Sequence, residues 1–115
     1  ATTFPLAFGN TNWIEADWDG GVDEVSIDGG EWQDAADAGG EFTIGYPSSL
    51  LALDQSALSG RPAFTGRSDP DGFEGMRETI SFGSALNGST VRFRFRIASD
   101  YSVAEYGWWI DNVTV

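Results

Sequence analysis

Between Thr90 and Ala98 the chain alternates without a fault: Val91, Phe93, Phe95 and Ile97 are separated by Arg92, Arg94 and Arg96. Successive side chains of a β-strand point to opposite faces, so this spacing predicts a strand with an apolar face turned to a core and a cationic face turned outward. Such a strand needs a second layer to cover its aromatic side. No segment carries Leu, Ala or Glu at helical spacing. The 15 glycines are scattered between short apolar runs, the pattern of a chain with many tight turns. The expectation is a single all-β domain over residues 1–115, an antiparallel β-sandwich.

The closing segment Gly107–Val115 reads as a further strand, with one break in its alternation. Trp108 and Ile110 share a face, whereas Val113 and Val115 fall on the other. One extra residue near Asp111-Asn112 would return all four to the core side, so a β-bulge is predicted there. A bulge leaves backbone carbonyls unpaired, and here they would lie beside the Asp111 carboxylate. Oxygen donors so grouped suit a hard cation such as calcium.

Elsewhere the reading is coarser. Ala1–Phe8 is expected to form a strand, with Pro5 placing it near a sheet edge, then a turn at Gly9–Asn12 and a strand over Trp13–Trp18. Val22–Ile27 should face Val25 and Ile27 one way, Glu24 and Ser26 the other. Asp28-Gly29-Gly30 is a type I′ hairpin signal, returning through Glu31–Asp34. Glu41–Tyr46 and Arg77–Phe82 are predicted strands. Pro47–Gly60, with Leu50, Leu51, Leu53 and Leu58, is either a helical turn or an apolar loop lying on the sheets.

Charge and composition narrow the functions. The net charge is −12, and every basic residue is an arginine. An acidic surface repels phosphate backbones and anionic lipid, which argues against nucleic acid and membranes as partners. The chain has no Cys and no His. Disulfides, thiolate chemistry and the commonest general base are therefore excluded. No stretch is long and apolar enough to span a bilayer. The chain opens at Ala1 without Met, and the expectation is a module excised or processed from a larger exported protein.

Four motifs follow one another in the chain. They are Asp19-Gly20-Gly21-Val22-Asp23-Glu24-Val25-Ser26-Ile27-Asp28-Gly29-Gly30-Glu31-Trp32, then Gly60-Arg61-Pro62-Ala63-Phe64-Thr65-Gly66-Arg67-Ser68, the arginine strand Thr90–Arg96, and Gly107-Trp108-Trp109-Ile110-Asp111-Asn112-Val113. In this order they resemble the MAM-like jelly-roll modules of secreted bacterial proteins, found attached to extracellular peptidases of the immune inhibitor A type. The resemblance implies an antiparallel β-sandwich in an extracellular or cell-surface protein, with no catalysis of its own. It also implies a structural calcium ion linking Asp111 of the closing strand to acids near the first strands, here Glu15, Asp17, Asp19 and Glu24. The spacing is not that of an EF-hand, because Gly21 stands where a third oxygen ligand would be needed.

Two further features bear on function. Trp108 and Trp109 point to opposite faces of one strand, so one of them is available outside the core. Trp109, Trp18 and Tyr106 are accordingly candidates for stacking on a glycan, with Trp13, Trp32 and Tyr101 as further ones, the competing use being to wedge between sheets. Asn87-Gly88-Ser89 and Asn112-Val113-Thr114 are formal glycosylation sequons. The expected role is adhesion, attachment of a glycan or extracellular protein, or positioning of a neighbouring domain. The alternative is a subunit of an extracellular fibre or surface layer, donating Ala1–Phe8 as a strand to the next copy.

Overall fold

The computed structural model describes residues 5–13, 16, 19–51, 57–66, 76–98 and 107–114. Every regular element among them is a β-strand. They are β1 (Pro5–Trp13), β2 (Gly20–Ile27), β3 (Gln33–Asp34), β4 (Glu41–Phe42), β5 (Ser48–Ser49), β6 (Pro62–Ala63), β7 (Met76–Ser81), β8 (Val91–Ala98) and β9 (Gly107–Thr114). All pairings are antiparallel. One sheet runs β4-β7-β1-β9, a second β3-β2-β8, and β5 pairs with β6 alone.

The two larger sheets share an apolar cluster. Leu6 and Phe8 of β1 and Ile80 of β7 meet Phe64, Phe82 and Leu86, and Val91, Phe93 and Phe95 of β8 pack against them with Trp108 and Ile110 of β9. The alternation read in β8 is therefore realised for three of its four apolar residues. Ile97, at the end of the strand, stays 52% exposed. A smaller cluster joins Val22 to Leu50, Leu58 and Ala63. Within Pro47–Gly60, Ser48–Ser49 forms β5 and Leu50 and Leu58 lie on the sheets, whereas Leu51 is exposed; Leu53 lies outside the described residues.

Three local readings are corrected. Gly9–Asn12 is not a turn: β1 runs through it as one strand to Trp13. Asn10 and Asn12 continue the inward side of Leu6 and Phe8 and are buried, at 4% and 3% exposure. Amides take the place of hydrophobic side chains because each finds a hydrogen-bond partner. Nor is β1 an edge strand, since β7 and β9 flank it. Pro5 is tolerated as the first residue of the strand, where a missing N–H costs least. Finally, β2 does not alternate between core and solvent. Gly20 to Ser26 are all buried, because the other sheet covers one face and the Val22 cluster the other.

The bulge of the closing strand lies where the break in alternation placed it. Gly9 faces Asp111 and Ala7 faces Thr114, so two residues of β9, Asn112 and Val113, stand against Phe8 alone. It does not bury Val113, which is 47% exposed. The β2–β3 hairpin also forms as expected. Asp28 and Gly29 have φ of 52° and 75°, and Gly30 N–H donates to the Ile27 carbonyl at 2.9 Å, the geometry of a type I′ turn. The strand expected over Glu41–Tyr46 is limited to Glu41–Phe42. Beyond it the backbone turns to wrap a buried carboxylate.

Candidate functional site: a buried acidic cluster and an arginine face

The arginines of β8 project on the side opposite its aromatics, and their register places them. Glu24 of β2 stands directly across from Arg94, and Ser26 across from Arg92. Glu24 is 3% exposed and its carboxylate gathers cations. Arg94 donates through Nε at 2.7 Å, and Arg61 reaches the second oxygen at 3.0 Å. Arg96 stands at 3.8 Å. Burial alone would raise the Glu24 pKa, but hydrogen bonds from Arg94 and Arg61 outweigh it and hold the group below the ordinary carboxylate value. Arg61 also bonds Asp34 at 3.1 Å, bridging two acids that are neighbours across β2 and β3.

Arg92 has a different contact. Its guanidinium lies 5.3 Å from the ring centre of Trp32, and that of Arg94 lies 4.4 Å away. A guanidinium at such a distance is attracted by the negative face of the ring. Arg92 is exposed and Trp32 half-buried, so the pair is a surface feature.

The opposite face of β2 turns inward and holds acids too. Asp23 shares that face with Gly21, Val25 and Ile27 by alternation, and stands across from Phe95. Glu78 of β7 stands across from Phe8 and is likewise inside, at 1% exposure. One oxygen of Glu78 accepts from the Thr43 N–H and hydroxyl, both at 2.8 Å, and from Ile44 N–H at 3.1 Å. The other accepts from Gly45 N–H at 3.0 Å. A carboxylate so surrounded by donors organises the Thr43–Gly45 backbone around itself. Asp34 is satisfied by Ala36 N–H at 2.9 Å, by the Tyr46 hydroxyl at 3.1 Å and by Arg61. The Tyr46 hydroxyl also accepts the Asp23 N–H at 3.0 Å. Burial pushes the phenol pKa well up, and the nearby Asp34 and Asp23 push it the same way.

Asp23 is the exception. It is 1% exposed, and neither carboxylate oxygen has a hydrogen-bond partner among the described residues. Burial first, then repulsion from Asp34 and Glu78, raises its pKa from the ordinary 3.8 to about 8.

A polar chain ties the ends of several strands together. The Trp108 indole N–H donates to Asn10 Oδ1, and Asn10 donates to Asn12 at 3.0 Å. Asn12 donates to the Gly66 carbonyl at 2.9 Å, and the Thr65 hydroxyl donates to the Asp19 carbonyl at 2.7 Å. Asp19, buried at 4% exposure, is therefore held at the start of β2 near the Asn12 end of β1.

The residues expected from the sequence divide as follows. Of the calcium candidates, Asp19 and Glu24 are buried, but Glu24 is balanced by guanidinium groups and has little charge to offer a cation. Asp111 lies on β9 at the bulge, with its side chain outside the described residues, as are Glu15 and Asp17. Among the described residues no group of three acids is arranged to hold a metal ion. Of the glycan candidates, Trp109 belongs to β9 but its side chain is outside the described residues, and Trp18 and Tyr106 lie outside them entirely. Sequence reasoning missed Asp23, Asp34, Glu78 and the Arg92–Trp32 contact. Asp23 and Glu78 did carry a signal, as acids within the predicted strands Val22–Ile27 and Arg77–Phe82, Asp23 on the face that alternation gives to Val25 and Ile27. No helix among the described residues is long and apolar enough to cross a membrane. Compared with known proteins, the chain matches no family model, no curated protein and no solved structure.

Proposed function

We infer that this chain is a non-catalytic attachment module of an exported protein, a jelly-roll β-sandwich that holds an extracellular glycan and is stiffened by calcium. The observation that carries the glycan reading is the Arg92–Trp32–Arg94 group on the outer side of the β2–β8 pair. An indole supplies a flat apolar surface for a pyranose ring, and a guanidinium supplies paired donors for hydroxyl or carboxylate oxygens. Arg94 is already engaged with Glu24, whereas exposed Arg92 has its donors at the surface. This favours a sugar bearing a carboxylate over a neutral one. The calcium reading is carried by the β9 bulge beside Asp111, with Asp19, Glu15 and Asp17 as partners.

Titration calorimetry against neutral and uronic-acid oligosaccharides tests the first part. Binding of the acidic sugars that is lost in Trp32→Ala and Arg92→Ala supports it; absence of binding to either class rejects it. Melting in calcium and in chelator tests the second. A midpoint raised by calcium in the wild type and unmoved in Asp111→Ala supports the site, because a ligand of the native state stabilises by mass action. The alternative, a fibre subunit donating Ala1–Phe8, gains no support from β1, whose Pro5–Phe8 segment is engaged by β7 and β9 of its own chain. Long assemblies in size-exclusion chromatography would nevertheless favour it.

A further inference from the structure

We propose that the folded chain keeps a proton on Asp23 at neutral pH, and that this proton is a switch: its release sets an unbalanced charge inside the fold and loosens β2 against β3, β7 and the Tyr46 segment.

Among the described residues the geometry leaves the carboxylate no other means of support. Asp23 is buried, and both of its oxygens are unpartnered among the described residues. The groups on the surrounding elements do not help. Asp34 approaches from β3 and Glu78 from β7, both acids. Tyr46, from the segment after β4, uses its hydroxyl on Asp34 and on the Asp23 backbone, not on the Asp23 carboxylate. From β8 the residue in register is Phe95. On β2 itself Glu24 points to the other face and draws Arg94 and Arg96 there, while Arg61 spends its guanidinium on Glu24 and Asp34. An ionised carboxylate buried without a cation or donors is costly enough that such a group takes up a proton instead. The neutral acid also removes the repulsion from Asp34 and Glu78.

The direction of the pH effect follows. Unfolded, Asp23 titrates near 3.8; folded, near 8. Between these values the native state binds a proton that the unfolded chain does not, so stability falls as pH rises through that window. The folding equilibrium should weaken by up to roughly tenfold for each pH unit within it. Below the window both states are protonated and the effect is flat.

The test compares wild type with Asp23→Asn by urea unfolding from pH 4.5 to pH 9, and follows the Asp23 side-chain carboxyl carbon of the folded wild type by NMR over the same range. The expected results are a carboxyl that remains protonated through pH 6 and a wild-type stability that falls with pH more steeply than that of Asp23→Asn. A carboxyl ionised at pH 5 in the folded wild type overturns the proposal, as does an Asp23→Asn slope equal to the wild-type slope. Should Asp23→Asn fail to fold, the NMR titration of the wild type decides alone.

Discussion

Glu24 and Asp23 are adjacent in the chain and experience opposite environments, because a strand sends neighbouring side chains to opposite faces. Glu24 meets guanidinium groups on one face; Asp23 meets acids and aromatics on the other. The two therefore respond to mutation differently. Arg94→Met removes the closest cation from Glu24 while keeping much of the packing of the arginine stem. With Arg61 still in place and Arg94 itself 38% exposed, the expected loss is about 1–3 kcal/mol, below the cost of a fully orphaned buried charge. Urea unfolding near pH 7 measures it. At pH 3, where Glu24 is protonated in the unfolded chain and ionises less readily in the variant, the difference should shrink. Glu24 was legible as an acid in a recognisable hairpin, but not as the partner of Arg61 and Arg94, which are 37 and 70 residues away in the chain. The same acid therefore suggested a calcium ligand.

At the scale of the elements, what could be read depended on whether local pattern and tertiary setting agree. The arginine strand β8, the Asp28-Gly29 turn and the β9 bulge are local patterns, and each forms. β1 misled because glycine and asparagine ordinarily mark turns. Its asparagines are inward because Trp108, the Thr65-Gly66 backbone and each other supply their partners, none of which is visible from Gly9–Asn12 alone. Gly21 is similar. Within a glycine pair it reads as part of a turn, yet it sits inside β2, bonded on both its N–H and carbonyl to Phe64 at 2.9 and 2.8 Å. A Cβ there would lie 2.5 Å from Cε3 of Trp108. Gly21→Ala should accordingly displace the indole and cost roughly 1–3 kcal/mol, as overpacking does. Its thermal midpoint should fall and its tryptophan emission shift, whereas Gly29→Ala, at an exposed turn, should leave the emission unchanged.

For the whole molecule, the two buried acids give pH slopes of opposite sign. Glu24, with its pKa lowered, contributes stability above the ordinary carboxylate range and loses it as pH falls through its folded value. Asp23, with its pKa raised, contributes most in acid and loses it as pH rises toward 8. The net charge of −12 adds repulsion that also grows as carboxylates ionise. Stability should therefore peak on the acid side of neutrality, near pH 5, and decline in both directions. Thermal midpoints from pH 3 to pH 9 check this; a maximum above pH 7 contradicts it. The sequence by itself determined the all-β class, the faces of β8, the type I′ hairpin and the bulge near Asp111-Asn112, because each depends on alternation or turn chemistry within a few residues. Only the tertiary structure decided that β1 lies inside its sheet, that β2 is covered on both sides, and that among the described residues Asp23 has no donor where Glu78 has four. Those outcomes depend on which distant strands meet, and on the burial that turns a polar side chain into either a partnered group or a protonated one.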